Sequence, residues 1–209
     1  MICPLCDSML FTKKNQHYFD CSTCFALVKD NRFYLTPTEE KKHYEMHNND
    51  VNDVGYQNFT SPVTNFVLQY QRASDKGLDF GSGTGPVISK MLLDKGFDIV
   101  QYDLYFTPAE NLLLEKYDYI VCSEVWEHFQ QPKKELFQLL KILELGGRWI
   151  VMTLLYSDKI NFESWHYRLD ITHVFIFRKE TMVFIAKRFK LEIELITERL
   201  IVFKSTTNA

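Results

Sequence analysis

From residue 77 onward, short apolar runs alternate with stretches whose apolar residues recur every three or four positions. "GLDF" (77–80), "FDIVQYD" (97–103), "YDYIVCS" (117–123) and "RWIVMTLL" (148–155) have the length and composition of strands. Between them, "PVISKMLLDKG" (86–96) predicts a helix closed by Gly96, and "PKKELFQLLKILELGG" (132–147) a helix ended by a glycine pair. "YSDKINFESWHYRLDITHV" (156–174) carries no period and predicts a long irregular segment. "RKETMVFIAKRF" (178–189) predicts a helix, and "KLEIELITERLIVFKS" (190–205) two strands around a tight turn. Strands alternating with helices predict a parallel sheet covered on both faces, which the closing antiparallel hairpin makes mixed.

Upstream the pattern is weaker. "MLFTKKNQHYFD" (9–20) predicts a hairpin with "KKNQ" as its turn, and "FALVKDNRFYL" (25–35) a strand or hairpin closing it. Thr36 and Pro37 mark a helix start, continued by charged residues. "VNDVGYQNFTSP" (51–62), with Gly55 and Pro62, predicts a loop. After it, Val63, Phe66, Val67 and Tyr70 keep helical spacing. No internal repeat or low-complexity tract interrupts the chain.

The 209 residues suffice for one well-cored domain with a small appendage. Hydrophobic residues make up 46 % and charged residues 24 %, which excludes a disordered chain. A formal net charge of −3 gives no overall basic footprint for nucleic acid. No apolar run is long enough to span a bilayer. "MICPLCDSML" lacks the basic start and apolar stretch of a secretion signal, so the expected location is the cytoplasm, where thiols stay reduced.

That compartment decides how the cysteines are read. Cys3, Cys6, Cys21 and Cys24 form C-x2-C-x14-C-x2-C around the predicted hairpin. Two such knuckles facing one another make a tetrahedral thiolate cage suited to structural Zn2+, a zinc ribbon. Disulfides and a redox C-x-x-C are the alternatives; a reducing compartment and the paired spacing disfavour them. Cys122, in an apolar strand, is expected to be a buried thiol.

Three of the eight glycines, Gly81, Gly83 and Gly85, fall within five positions directly after Asp79, where the first strand turns into the first helix. Ligands bind at such strand ends in open α/β sheets, and glycine lets a ligand lie against the backbone. The dinucleotide fingerprint G-x-G-x-x-G would need a glycine where Pro86 stands. A carboxylate before the loop repels pyrophosphate but attracts an amine-bearing ligand, and Asp103, ending the next strand, suits two ribose hydroxyls. These features predict a nucleoside with an amino-acid-like tail and no phosphate.

Together, D-x-G-x-G-x-G after the first strand, an acid ending the second, "YDYIVCSEVWEHF" and "LELGGRWIVMT" resemble the class I S-adenosylmethionine-dependent methyltransferases. Leu145 stands where that family usually has proline. The resemblance runs from about residue 60 to the C-terminus and implies a Rossmann-like, doubly wound mixed sheet of about seven strands with a C-terminal antiparallel hairpin. It also implies an organisation of a zinc-ribbon subdomain (1–36), a linker helix and loop closing over the cofactor (37–62) and a methyltransferase domain (63–209). By the same resemblance Asp79 lies near the amino-acid end of S-adenosylmethionine and Gly81, Gly83 and Gly85 allow close approach. Asp103 holds the ribose, Leu104 and Tyr105 flank the adenine, and Ser123 and Glu124 face the methionine portion. S-adenosylhomocysteine is the implied product.

A methyl acceptor needs an aligned nucleophile and, for some acceptors, a proton acceptor. Glu124, Glu127 and His128 follow the fourth strand, with bracing of the next loop as the alternative role for Glu127 and His128. His166, Asp170 and His173 lie in the irregular segment, where Trp165, His166 and Tyr167 suggest an aromatic lid. The catalytic candidates are His128, His173 and Glu124. His47, Asn48, Asn49 and Tyr56 are candidate pocket residues in the linker. A ribosomal-RNA guanine methyltransferase family also carries a zinc ribbon, which makes RNA the alternative substrate. The ribbon hairpin supplies only Lys13 and Lys14, and the N-P-P-Y type tetrapeptide of amino-group methylases is absent. A small-molecule acceptor is therefore the favoured expectation, with a ribbon that docks protein onto a non-catalytic domain as the non-enzymatic alternative.

Overall fold

The computed structural model describes residues 1–46 and 49–207. The first 36 residues build two knuckles and three short strands, β1 (Thr12–Lys13), β2 (Tyr18–Asp20) and β3 (Leu27–Lys29). Both knuckles fold alike. Cys3 N donates to Ser8 O (2.8 Å) and Asp7 N to Cys3 O (3.0 Å); Cys21 N donates to Ala26 O (2.9 Å) and Phe25 N to Cys21 O (2.8 Å). Asp7 and Phe25, each just after the second cysteine of its pair, take φ of 64° and 63°. Aspartate tolerates that region but phenylalanine does not, so at Phe25 the knuckle geometry is imposed on the residue.

Helix α1 (Pro37–Tyr44) starts as its residues dictate: Thr36 and Glu39 form a reciprocal capping box, with Pro37 in the first turn. Helix α2 (Val54–Tyr70) corrects the expectation of a loop over 51–62. Asp53 caps it, accepting from Tyr56 N at 2.6 Å, and Pro62 lies inside it. Proline removes the amide that would satisfy Asn58 O; the Ser61 hydroxyl donates to that carbonyl instead, at 2.7 Å. The sequence reading stopped at Pro62 because the compensating serine is visible only in three dimensions.

The α/β part follows: β4 (Gly77–Phe80), α3 (Val87–Leu93), β5 (Ile99–Tyr102), β6 (Tyr117–Ser123), α4 (Pro132–Ile142) and β7 (Leu143–Met152). Then come the single turn α5 (His166–Leu169), β8 (Phe175–Ile176), α6 (Lys179–Phe189), β9 (Leu191–Ile196) and β10 (Leu200–Ser205). The main sheet has the order β5-β4-β6-β7-β10-β9, parallel through β7 and antiparallel in the closing hairpin. It has six strands against the expected count of about seven. Residues 104–116, between β5 and β6, form a turn and a 3-10 helix at Glu110–Leu114 instead of a strand-bearing crossover. The expected helix over 132–147 also ends early, at Ile142, because Leu143 already pairs with Tyr117.

Alternation along β6 sorts the core. Tyr119 and Val121 pack with Val63 and Val67 of α2 and Ile88 and Leu92 of α3. Ile120 and Cys122 face Leu136 and Leu139 of α4 and Met182 and Ile185 of α6. Trp126 stacks on Phe203 (centroids 5.9 Å, 11°) and meets Trp149 edge-on at 5.6 Å. Among the described residues no helix is long and apolar enough to cross a membrane.

A second sheet joins the ribbon to the rest, in the order β1-β2-β3-β8. β8 comes from the far side of the irregular segment and pairs antiparallel with β3, Leu27 opposite Ile176 and Val28 opposite Phe175. The ribbon is thus part of one packed body. Asp20 is bridged to Arg178 at 2.9 Å, and Asp7 to Lys133.

Gly77 opens β4 against the Tyr119 ring, where an added Cβ would lie 2.2 Å from Cζ. Tyr119 is fully buried and has nowhere to move. Gly77→Ala should cost about 1–3 kcal/mol through overpacking and lower the thermal midpoint by several degrees, read by differential scanning calorimetry.

Candidate active site at the carboxyl edge of the sheet

The ends of β4, β5 and β6 open on one cavity of about 840 Å³, of the size that takes a nucleoside-sized ligand with room beside it. The glycine loop forms one side. Gly81 and Gly83 take φ of 79° and 65°, conformations that side chains resist. Asp103, at the end of β5, braces this loop: Oδ2 accepts from Gly83 N (2.9 Å), and Oδ1 from Tyr105 N (2.8 Å) and Phe106 N (3.1 Å). These bonds take about three of the carboxylate's roughly four lone-pair sites, so Oδ2 can still accept from one hydroxyl in the cavity. Leu104, Tyr105 and Ser123 also line the wall.

Asp79 and Gly85 are not part of that wall. Asp79 is buried behind the loop and accepts from the Ser89 hydroxyl of α3 at 2.8 Å. Burial pushes its carboxyl up to about 6, against the opposing Ser89 bond. At Gly85 the linker rests directly on the backbone: an added Cβ would stand 1.8 Å from Asn49 O. Asn49 and Tyr56 line the cavity, as expected of the linker; His47 and Asn48 lie outside the described residues.

The opposite end gathers Glu124, His128 and His173, which reach it from the β6 turn and from the segment before β8. Glu124 has φ of 53°, a strained conformation for a residue with a side chain, held by its N–H donating to Met152 O at 2.7 Å. Burial raises its carboxyl above the ordinary range, with Arg199 acting in the other direction. The next acid, Glu127, is fully buried; its Oε1 accepts from Tyr167 OH at 2.5 Å. Burial first, and then Glu124, hold its carboxyl well above the ordinary range.

Both histidines have their tautomer set by a main-chain carbonyl. His128 Nδ1 lies 3.2 Å from Thr172 O and His173 Nδ1 lies 2.6 Å from Tyr167 O. A carbonyl only accepts, so Nδ1 carries the hydrogen and Nε2 is the basic atom in each ring. The rings are 4.8 Å apart. Burial pushes His173 down to about 4, which keeps it neutral near pH 7. Of Trp165, His166 and Tyr167, suggested as a lid, His166 and Tyr167 line the cavity, while Trp165 and Tyr167 also pack into a cluster with Tyr18, Tyr156 and Phe162.

Residues 55–196 match the family described as "Methyltransferase domain". The chain belongs to this family. Three solved structures share the fold of the methyltransferase. The 1,6-didemethyltoxoflavin-N1-methyltransferase of Burkholderia thailandensis, with its substrate and S-adenosylhomocysteine bound, aligns at TM-score 0.61 and 11 % identity, over 93 % of this chain and 98 % of that one. The magnesium protoporphyrin IX methyltransferase ChlM of Synechocystis PCC 6803, with SAM bound, aligns at 0.53 and 13 % identity, over 84 % and 94 %. The pyocyanin biosynthetic protein PhzM aligns at 0.52 and 15 % identity; 72 % of this chain covers 56 % of PhzM. No curated protein sequence matches the chain.

Several wall residues of the methyltransferase escaped the sequence reading. Glu40 of α1 accepts from Tyr105 OH (2.9 Å) and Gln130 Nε2 (3.3 Å). Tyr44 sits between Tyr105 (5.9 Å) and His128 (5.4 Å). Arg199 arrives from the turn between β9 and β10. The capping box announces α1, but no local signal says that α1 crosses the sheet's edge.

The ribbon holds the acceptor end in place. Tyr18 OH donates to His173 O (2.7 Å), Lys29 Nζ to Ile171 O (2.6 Å) and Lys29 N to Val174 O (2.8 Å). Burial lowers the Lys29 ammonium from 10.5 to about 8. A base with a depressed folded pKa destabilises the fold fully below that value, and the penalty vanishes as pH passes its unfolded value. Replacing it should therefore matter most at neutral pH. The stability of Lys29→Met relative to wild type should fall between pH 8 and 10.5, measured by urea unfolding across that range.

Proposed function

We propose that this methyltransferase uses S-adenosylmethionine to methylate a small-molecule acceptor, and that its four N-terminal cysteines hold a structural Zn2+. The observation that carries the first part is the division of one cavity into two chemically unlike ends. The residues of the first end fit the cofactor. Gly83 leaves open space at the loop, with nothing nearer an added Cβ than Asn49 Nδ2 at 3.7 Å. Asp103 would take a ribose hydroxyl on the free lone pair of Oδ2, with Leu104 and Tyr105 flanking the adenine and Ser123 and Glu124 facing the methionine portion. Asp79 and Gly85 would act from behind, keeping the loop in shape. The bound cofactor supplies a methyl group made electrophilic by its sulfonium.

The chain's own residues do the rest. Glu124, His128 and His173 would position the acceptor and take its proton, at a Glu124 oxygen or a histidine Nε2. A carboxyl raised by burial suits proton transfer near neutral pH better than an ordinary one. The half-enclosed cavity limits water around the reacting atoms. The polar contacts of the ribbon favour a small acceptor over RNA. Lys13 faces Asp30 (3.5 Å) and Lys14 faces Asp158 (3.7 Å), so the two hairpin lysines are paired within the molecule.

The cysteine cluster fits zinc on its spacing. Cys3 and Cys24 sulfurs are 3.6 Å apart and Cys6 and Cys21 sulfurs 3.5 Å, too long for disulfides. Ligands about 2.3 Å from a tetrahedral Zn2+ stand about 3.8 Å from each other. The Ser8 hydroxyl, 3.0 Å from Cys6 Sγ and 3.3 Å from Cys21 Sγ, is placed to support thiolates.

Asp103→Ala should weaken S-adenosylmethionine binding by about 10–100-fold, the worth of hydrogen bonds to a charged group. Isothermal titration calorimetry reads this, and unchanged affinity would overturn the ribose assignment. Elemental analysis should find at least one Zn2+ per chain. Cys21→Ser should lose the thiolate-bound ion and cut methyl transfer about tenfold or more, since the ribbon braces the stretch that carries His173, while shifting cofactor affinity much less. A zinc-free chain of full activity would refute that link.

A further inference from the structure

Glu127, His128 and His173 each bring one ligand atom to a common point, all within 4.8 Å of one another. Ligands of an ion held at about 2.1 Å stand about 3–4 Å apart, so closing on an ion takes shifts of about an ångström. Three features go beyond proximity. Glu127 is fully buried and its Oε2 has no hydrogen-bond partner. Neighbouring Glu124 likewise leaves a buried Oε1 without one. Glu124 lines the cavity and Glu127, three residues on, is buried outside that wall; among the described residues neither forms an ion pair with a lysine or arginine. Finally, both histidines anchor Nδ1–H on a main-chain carbonyl, at 3.2 and 2.6 Å, the support that orients a metal-ligating imidazole through Nε2.

We propose that Glu127, His128 and His173 bind a divalent first-row transition cation beside the cavity wall that Glu124, His128 and His173 line, the two Nε2 atoms then serving as ligands and Glu124 as the proton acceptor. Two imidazoles and a carboxylate select manganese, iron, cobalt, nickel or zinc over magnesium and calcium, and leave coordination positions open to an oxygen of the acceptor. Tyr167 OH, 2.5 Å from Glu127 Oε1, holds the carboxylate from outside, and Thr153 in turn lies 2.8 Å from that hydroxyl. The ion's neighbourhood to a methyl donor rests on the function proposed above; its binding does not. It would be a second metal site, chemically unlike the thiolate cage.

That difference makes the test specific. Mn2+ is a poor competitor for four thiolates, so it can be titrated into the full chain with zinc in place and without S-adenosylmethionine. Free Mn2+ is followed by electron paramagnetic resonance. The expected result is one saturable Mn2+ per chain, weakened about 10–100-fold in both Glu127→Gln and His128→Gln. Glu127→Gln is nearly isosteric, and His128 lines the cavity wall. Calorimetry with S-adenosylhomocysteine on the same samples checks that each variant is folded. No saturable uptake by wild type, or equal uptake by folded variants, would overturn the site. Uptake of Mn2+ by a chain that fails to bind the nucleoside would leave the metal site standing and remove the cofactor assignment instead.

Discussion

The active end of this molecule depends on one short stretch of extended chain, Thr172 to Ile176, clamped on both sides. Val174 N donates to Glu127 O and Val174 O accepts from Lys29 N, each at 2.8 Å. One neighbour is the turn after β6, which carries Glu124, Glu127 and His128; the other is β3 of the ribbon. His173 has its position only because this stretch is held. A ribbon with strands of two and three residues cannot hold anything by its own core. The Zn2+ proposed for the four cysteines would contribute about 10–16 kcal/mol of apparent folding free energy in so small a unit. The ribbon it would hold together donates Tyr18 OH to the main chain of His173, some 150 residues away.

The two ends of the cavity solve opposite electrostatic problems. At the glycine loop, the Asp103 carboxylate receives three main-chain amides, so its charge is met by fixed dipoles before any ligand arrives. At the other end Glu124 and Glu127 are buried close together and each keeps an oxygen without a partner. Folding has placed unmet polar atoms there at a cost of about 1–3 kcal/mol for each group, and has added backbone strain at Glu124. Such costs concentrate where a ligand later satisfies them. The glycine-loop end is preorganised, whereas the end at Glu124 and Glu127 keeps polar atoms unmet.

The sequence makes the first end easy to read and the second hard. Gly81, Gly83 and Asp103 sit in one local unit, strand-turn-helix-strand, so spacing alone places them on the wall, but the same spacing does not tell that Asp79 turns to Ser89 or that the linker rests on Gly85. The cysteines are legible for the same reason. His173 could be suspected only from its place after an irregular segment, and Arg199 only from the folded hairpin turn. Two errors have local causes. Pro62 hid the start of α2 because Ser61 repairs the lost hydrogen bond, and the glycine pair at 146–147 suggested a longer α4 than the one that ends where Leu143 pairs with Tyr117. The missed Glu40–Tyr105 bond joins residues 65 positions apart, beyond any pattern in the chain.

That bond explains how the cavity is walled. Helix α1 crosses from the cofactor end to the acceptor end: Glu40 holds Tyr105 and Gln130, and Tyr44 meets both Tyr105 and His128. Yet Glu40 is the one buried residue in α1, so the helix contributes no apolar side chain to the core. The linker that follows it touches the glycine loop at Gly85. Elements held by polar contacts at the surface open at lower free energy than those holding core strands. Because the same helix contacts both ends, Tyr105 and His128 share Tyr44 as a neighbour.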